Sequence, residues 1–451
     1  MASPTVPLVP ARPVAAAARP AFYITLIFVF VVYARLPEFT FLSSAAHSAR
    51  ILVGLSLLAI VLFGGSVRAV FSKVGICLIA FTIWLCIATP FSVWRGGSAK
   101  MLKDLWVLAL FSFAIIAATV VGLEQCRKLI YAFAVATVFI EGFAIVLGRV
   151  QGGRMSLLGG TLGNANYLAM MLLIGLPFCL FVVRTKAGMS VFKFACLAML
   201  LCVPVTVAAT GSRGGLVTLI FMFLLYFVPL PASQKVAVAM GALILAVISI
   251  AWASRGALER YKTILTIKPG QTRLTGSEQS AIESAELRKE LLLSSLQLTL
   301  RHPLVGVGPG MFAVANANFA EMTNGRPNWN AWHETHNSFT QVSCEAGLPA
   351  LLLYCLTIFF CFKIVYSAGK LARQNPDLAV LGHMAFALRL ALIAYLGTSF
   401  FASVAYAYYF PMLAGLCVAL ERTCANQTAL IPASAQPRPR RGVDVTRRLE
   451  A

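Results

Sequence analysis

Residues 166–184 read NYLAMMLLIGLPFCLFVVR. The only charge in this stretch, Arg184, stands at its far end. As a helix rising 1.5 Å per residue, the segment matches the roughly 30 Å hydrocarbon core of a bilayer. Its apolar residues favour no single face, as expected of a helix surrounded by lipid or by other helices. The same texture recurs on both sides. Apolar runs lie near 21–37, 51–70, 74–92, 103–122, 128–148, 192–210, 214–231, 234–253, 347–367, 385–404 and 406–421. Composition agrees: 59% of the 451 residues are hydrophobic and 12% charged, against about 45–50% and about 25% in soluble domains. A disordered chain, a disulfide scaffold and an ordinary cytosolic enzyme are excluded. The expected fold is an all-α polytopic membrane protein of about twelve transmembrane helices, with one long loop that contains short helices. Most of the 11 cysteines fall within apolar runs, without CxxC or Cys/His spacing, and read as small core residues.

Lys and Arg total 37 against 16 Asp and Glu, a formal charge of +21. In a soluble domain this excess would point to nucleic acid. Here no nucleic-acid partner is expected, because the excess serves topology and contact with the lipid bilayer. With a cytoplasmic N-terminus, 20 of the 37 lie in inner segments and eight in short outer connections. Both termini are therefore expected in the cytoplasm. The organisation reads as a cytoplasmic segment 1–20, transmembrane helices 1–9 over 21–253, an outer loop 254–346, helices 10–12 over 347–421 and a disordered basic tail 422–451. Inside the loop, Ser280 to Leu300 has a helical pattern, with a stripe through Leu287, Leu291 and Leu298 and a stop before Pro303. Lys268-Pro269-Gly270 is turn-like.

Four polar clusters interrupt the apolar background, and the charge-derived topology puts all four on the outer face. They are Gly159 to Asn166, Thr210 to Gly215, Arg301 to Gly310, and His333 to Ser338 leading into Glu345 to Pro349. A glycine-rich turn feeding a helix N-terminus can offer N–H groups to an anion. Arg213, between glycines and two apolar spans, is placed to grip phosphate with its guanidinium fork. His333 and His336 share a face if helical, but no third ligand makes a metal site, and none is expected. His336 suits a general base near neutral pH. Arg288 has no carboxylate three or four positions away, and by itself reads as a solvated charge.

In these motifs the chain resembles the O-antigen ligase and O-antigen polymerase superfamily. The matching elements are Gly163-Asn164-Ala165-Asn166-Tyr167, Gly211-Ser212-Arg213-Gly214-Gly215, His302 to Gly308, His336-Asn337-Ser338 and Glu345 to Pro349. Two family features differ: Ala165 stands where proline is common, and Leu291-Leu292 where an aromatic residue is common. The resemblance implies a multi-pass inner (plasma) membrane glycosyltransferase of bacteria whose loop 254–346 is a periplasmic catalytic loop. The implied donor is a glycan on undecaprenyl pyrophosphate. The implied acceptor is lipid A-core, another lipid-linked glycan or a protein, and no cofactor is required. It maps the functional residues onto His336, Arg213 and Arg288. Gly163, Asn164, Asn166, Arg154, His333 and Asn337 are expected to contact substrate. The competing reading is a multi-pass solute transporter, for which Glu141 in the fifth helix is the intramembrane acid.

Overall fold

The computed structural model describes residues 19–38, 48–157, 160–265, 276–324 and 332–430. The N-terminal segment 1–18, Gly159, the Lys268–Gly270 turn and the tail from 431 onward lie outside them. Each of the twelve apolar segments contains a helix. Among the described residues, eight helices are long and apolar enough to cross a membrane, and Pro20–Tyr33, Ala49–Phe63 and Arg213–Phe227 are shorter apolar helices. The protein is thus an all-α polytopic membrane protein in its main architecture.

The stretch at 166–184 forms helix Ala165–Thr185, the centre of the bundle. It is the most buried candidate span, with 72% of its apolar window inside the protein. Ala379–Ser399, Val191–Ala209 and Leu123–Leu147 pack around it. Lipid tails are as apolar as leucine, so close packing rather than escape from water holds these helices together. At the other extreme, Ala232–Trp252 buries none of its residues and rests chiefly on Val191–Ala209.

The expected start of the tenth span at 347 coincides with Gly347, whose non-helical backbone divides Ser338–Gln374; a helix capped by Asn337 precedes it. Three boundaries and elements differ from the sequence reading. The eleventh span ends at Ser399 rather than 404, and 400–408 is irregular. That segment is held by bonds to residues distant in sequence, including Ala402 O from Ser338 Oγ at 2.7 Å and Val404 N to Ser338 Oγ at 3.0 Å. Residues 422–430, assigned to the tail, continue helix Tyr409–Leu430. The Arg422 guanidinium donates to Ala117 O at 2.8 Å and anchors this end. Finally, the connection after the fifth span folds into a two-stranded hairpin, Arg149–Gln151 with Arg154–Ser156. Gly152 and Gly153 turn it with φ of 55° and 73°, as a two-residue type I′ turn requires.

The loop helix expected over 280–300 runs from Gly276 to Arg301. Its stripe of Leu287, Leu291 and Leu298 packs on Val307, Phe312, Ala315 and Cys344. Each buried leucine contributes roughly 2 kcal/mol. A backbone clasp then fastens the loop to the tenth span. Val307 N donates to Cys344 O at 2.8 Å, Gly308 N to Glu345 O at 2.9 Å and Leu348 N to Pro303 O at 2.8 Å. The buried Glu345 carboxylate accepts from Gly310 N at 2.9 Å and Phe312 N at 3.1 Å, at the start of helix Phe312–Asn324. There it meets the positive end of the helix dipole.

Gly347 permits this clasp. Its φ is +83°, and a Cβ there would overlap the Leu304 carbonyl. Gly347→Ala is expected to destabilise the protein by at least about 2 kcal/mol. Thermal unfolding in detergent checks this, and an unchanged midpoint would show that the clasp does not hold the loop.

Candidate functional site

Local chemistry places each cationic side chain. Ser212 caps helix Arg213–Phe227 by accepting from Gly215 N at 3.2 Å, which sets Arg213 in the first turn. Arg154 leaves the hairpin turn, and its Nε donates to Thr210 O at 3.0 Å. One of its terminal nitrogens reaches Asn166 Oδ1 at 2.7 Å. A third arginine, Arg260, comes from helix Arg255–Leu265 in the long loop. That helix is tied back by the Tyr261 hydroxyl, 2.9 Å from Ala208 O. The hairpin turn touches it directly, since the Gly153 and Gly256 backbones lie against each other. Arg154 and Arg260 consequently flank Gly211. Arg288, on the loop helix, faces the same group.

These four guanidiniums act on one another. Burial, then Arg260, Arg288 and Arg213, pulls the Arg154 pKa down to about 10. Burial, Arg213 and Arg260 do the same to Arg288, again to about 10. All remain charged at neutral pH. Like charges so gathered repel, and a multivalent anion relieves that repulsion.

His336 stands beside Arg288, in the left-handed region with φ of +53°. Its N–H donates to Ser403 Oγ at 2.9 Å, and the same hydroxyl bonds Thr335 Oγ1 at 2.9 Å. Burial, Arg288 and His333 hold its imidazole at a pKa of about 4. The ring is neutral at pH 7 and free of a proton that would block base chemistry. An anion bound between the arginines would cancel the field of Arg288 and raise this pKa. Acting as a base, His336 loses activity as pH falls through its pKa. The acid limb of kcat/KM for donor is expected near pH 4, and that of kcat, measured with donor bound, at a higher pH. Coincident limbs in both profiles would detach His336 from the anion site.

The remaining expected residues divide by role. Asn164 Oδ1 accepts from Asn166 N at 2.9 Å and caps helix Ala165–Thr185. Asn337 likewise caps its helix, accepting from Phe339 N at 2.9 Å and Thr340 N at 3.1 Å. Asn166 holds Arg154, and Gly163 closes a short 3₁₀ turn, Thr161–Gly163. His333 sits within electrostatic reach of His336. The Tyr167 hydroxyl lies 3.3 Å from Glu334 and joins the first polar cluster to the fourth. Through these contacts and the clasp, the four clusters form one connected assembly at one end of the bundle.

Sequence reasoning missed three parts of it. Arg260 carried a readable signal, a basic residue beside a tyrosine on an amphipathic stretch. Ser403 carried none, because its partners are almost 70 positions away. Arg35 read only as a topological charge. Its guanidinium bonds Glu38, the Tyr409 hydroxyl and Thr161 Oγ1, the last at 3.0 Å. Glu38 in turn accepts from Thr161 N at 2.7 Å, so the pair pins the glycine-rich turn.

Four arginines within reach of one another, one of them beside a neutral imidazole, at one end of an apolar helical bundle, define a membrane protein equipped for a polyanionic ligand. Residues 194–355 match the family model described as O-antigen ligase, and this match bears out the resemblance to the O-antigen ligase and polymerase superfamily. The matched region contains Arg213, Arg260, Arg288 and His336, while Arg154 and the glycine-rich turn lie before it. No curated protein matches the chain. The family implies glycan transfer in a membrane protein.

Proposed function

We propose that the protein is a membrane glycosyltransferase that transfers or polymerises a glycan from undecaprenyl pyrophosphate onto an acceptor hydroxyl. The acceptor is lipid A-core or another lipid-linked glycan, and the site faces the periplasm of a bacterial inner membrane. The grouping of Arg213 with Arg288, and of Arg288 with His336, carries this reading. The arginines bind the pyrophosphate oxygens and stabilise the charge that develops on the leaving group. His336 takes the proton of the acceptor hydroxyl. The acceptor oxygen forms its bond to the anomeric carbon as the carbon–oxygen bond to phosphate breaks. Undecaprenyl pyrophosphate departs already ionised, so no general acid is needed, and the imidazolium returns its proton to solvent. A single displacement inverts the anomeric carbon and proceeds without metal or cofactor. Arg154 and Arg260 extend the cationic surface. The transporter reading rests on one buried acid, Glu141, which accepts from Thr206 Oγ1 at 2.6 Å through one of its carboxyl oxygens, whereas the four polar clusters of the sequence join in one assembly.

The test uses protein reconstituted in liposomes with an undecaprenyl-pyrophosphate glycan, with and without lipid A-core, and resolves products on a gel. A ladder without lipid A-core assigns polymerisation, and a product only in its presence assigns ligation. No transfer in either case, with the donor intact, would overturn the proposal.

A further inference from the structure

A second cationic site lies at the opposite end of the bundle. Helix Ala165–Thr185 starts beside His336's assembly and ends about 30 Å away at Arg184. Helix Ser338–Gln374 likewise starts at the site and ends near Arg373. Between these ends and the first half of Ala379–Ser399 lies a groove of about 340 Å³. Arg184, Arg373, Arg389 and His383 line it, and no carboxylate does. Arg184 is within electrostatic reach of His383, and Arg373 of Arg389. Among the described residues, none of these three arginines stands in an ion pair with a carboxylate.

The walls are shaped as well as charged. Gly369 faces Ala385, and Gly382 faces Ala372, which brings two helix backbones close and leaves the groove above them open. The Phe386 ring underlies both Arg184 and Arg389, with guanidinium carbons 5.5 Å and 5.2 Å from its centroid. Tyr226 supports Arg184 from the other side at 5.5 Å. The aromatic rings hold the guanidiniums in place without neutralising them. Val365 and Tyr366 continue the lining with apolar surface. A basic groove between helices, at the ends of apolar spans, has the chemistry that recognises a phosphate ester.

We propose that this groove binds the phosphate of an anionic phospholipid headgroup, as a site separate from the one that bears His336. Free phosphate shares the chemistry, and the experiment separates the two sources. The full chain is purified in a mild detergent. Binding of cardiolipin, phosphatidylglycerol and phosphatidylcholine is measured by native mass spectrometry, with inorganic phosphate as competitor. The expected result is preferential retention of cardiolipin or phosphatidylglycerol over phosphatidylcholine, not displaced by millimolar phosphate. Arg373→Gln/Arg389→Gln should lower that retention by roughly fivefold per guanidinium removed. Arg373→Lys/Arg389→Lys should restore most of it, which separates loss of charge from misfolding. Displacement by phosphate would assign the groove to a soluble phosphate instead of a lipid. Equal retention of all three lipids, or no change in the glutamine variant while the lysine variant remains folded, would overturn the site.

Discussion

His336→Ala is expected to lower glycan transfer by roughly 10² to 10⁴-fold, the usual contribution of a positioned general base. The acceptor hydroxyl is a poor nucleophile until its proton leaves, and Arg288 and burial keep the His336 imidazole unprotonated and ready to take it. The backbone offers a second, cleaner variant. His336 occupies the left-handed region, where asparagine is tolerated better than most residues. His336→Asn therefore keeps the corner and its bond to Ser403 but removes the base. Both variants should insert in the membrane and unfold near the wild-type temperature. Transfer at the wild-type rate by His336→Asn would remove the imidazole from the mechanism.

Arg213→Lys is expected to fail almost as badly as Arg213→Ala, with kcat/KM down by roughly 10² to 10³-fold. A lysine preserves the charge but presents a point, whereas the guanidinium presents a planar fork to two phosphate oxygens. The split between kinetic constants carries the information. A fall confined to KM would mean that Arg213 only holds the donor, and a fall in kcat means that it grips the leaving group more tightly as charge develops. A lysine variant with wild-type kinetics would show that charge alone suffices and that the fork has no part.

The sequence reading recovered the helices because the periodicity of a lipid-embedded segment is local. The run from Asn166 to Arg184 announces its length and environment without reference to the rest of the chain. The loop helix was legible for the same reason, its leucine stripe marking the face that meets Phe312. The errors arose where distant bonds override local pattern. Residues 400–408 are apolar enough to look like a span, yet Ser338 and His336 draw them out of a helix. Residues 422–430 look like a polar tail until Arg422 finds the carbonyl of Ala117. At the site, Arg213 and His336 were visible because glycine and polar neighbours set them apart from their apolar surroundings. Arg260 has a local signal, but its place in the group depends on a hairpin more than 100 positions earlier. The motifs at 302–310 and 345–349 were noticed as chemistry, but most of their atoms do carpentry, joining loop to span.

Helix Ala232–Trp252 turns no residue inward, yet it joins the helix that begins with Arg213 to the one that carries Arg260. The chain leaves the arginine group along Arg213–Phe227, crosses to the far side, and returns along these 21 residues. What this segment contributes to the site is a measured return journey. Its side chains are interchangeable among apolar kinds, while removing a single turn would shorten the path by about 5.4 Å and leave Arg260 short of its companions. Here the genetic message is a length, written in an alphabet of one.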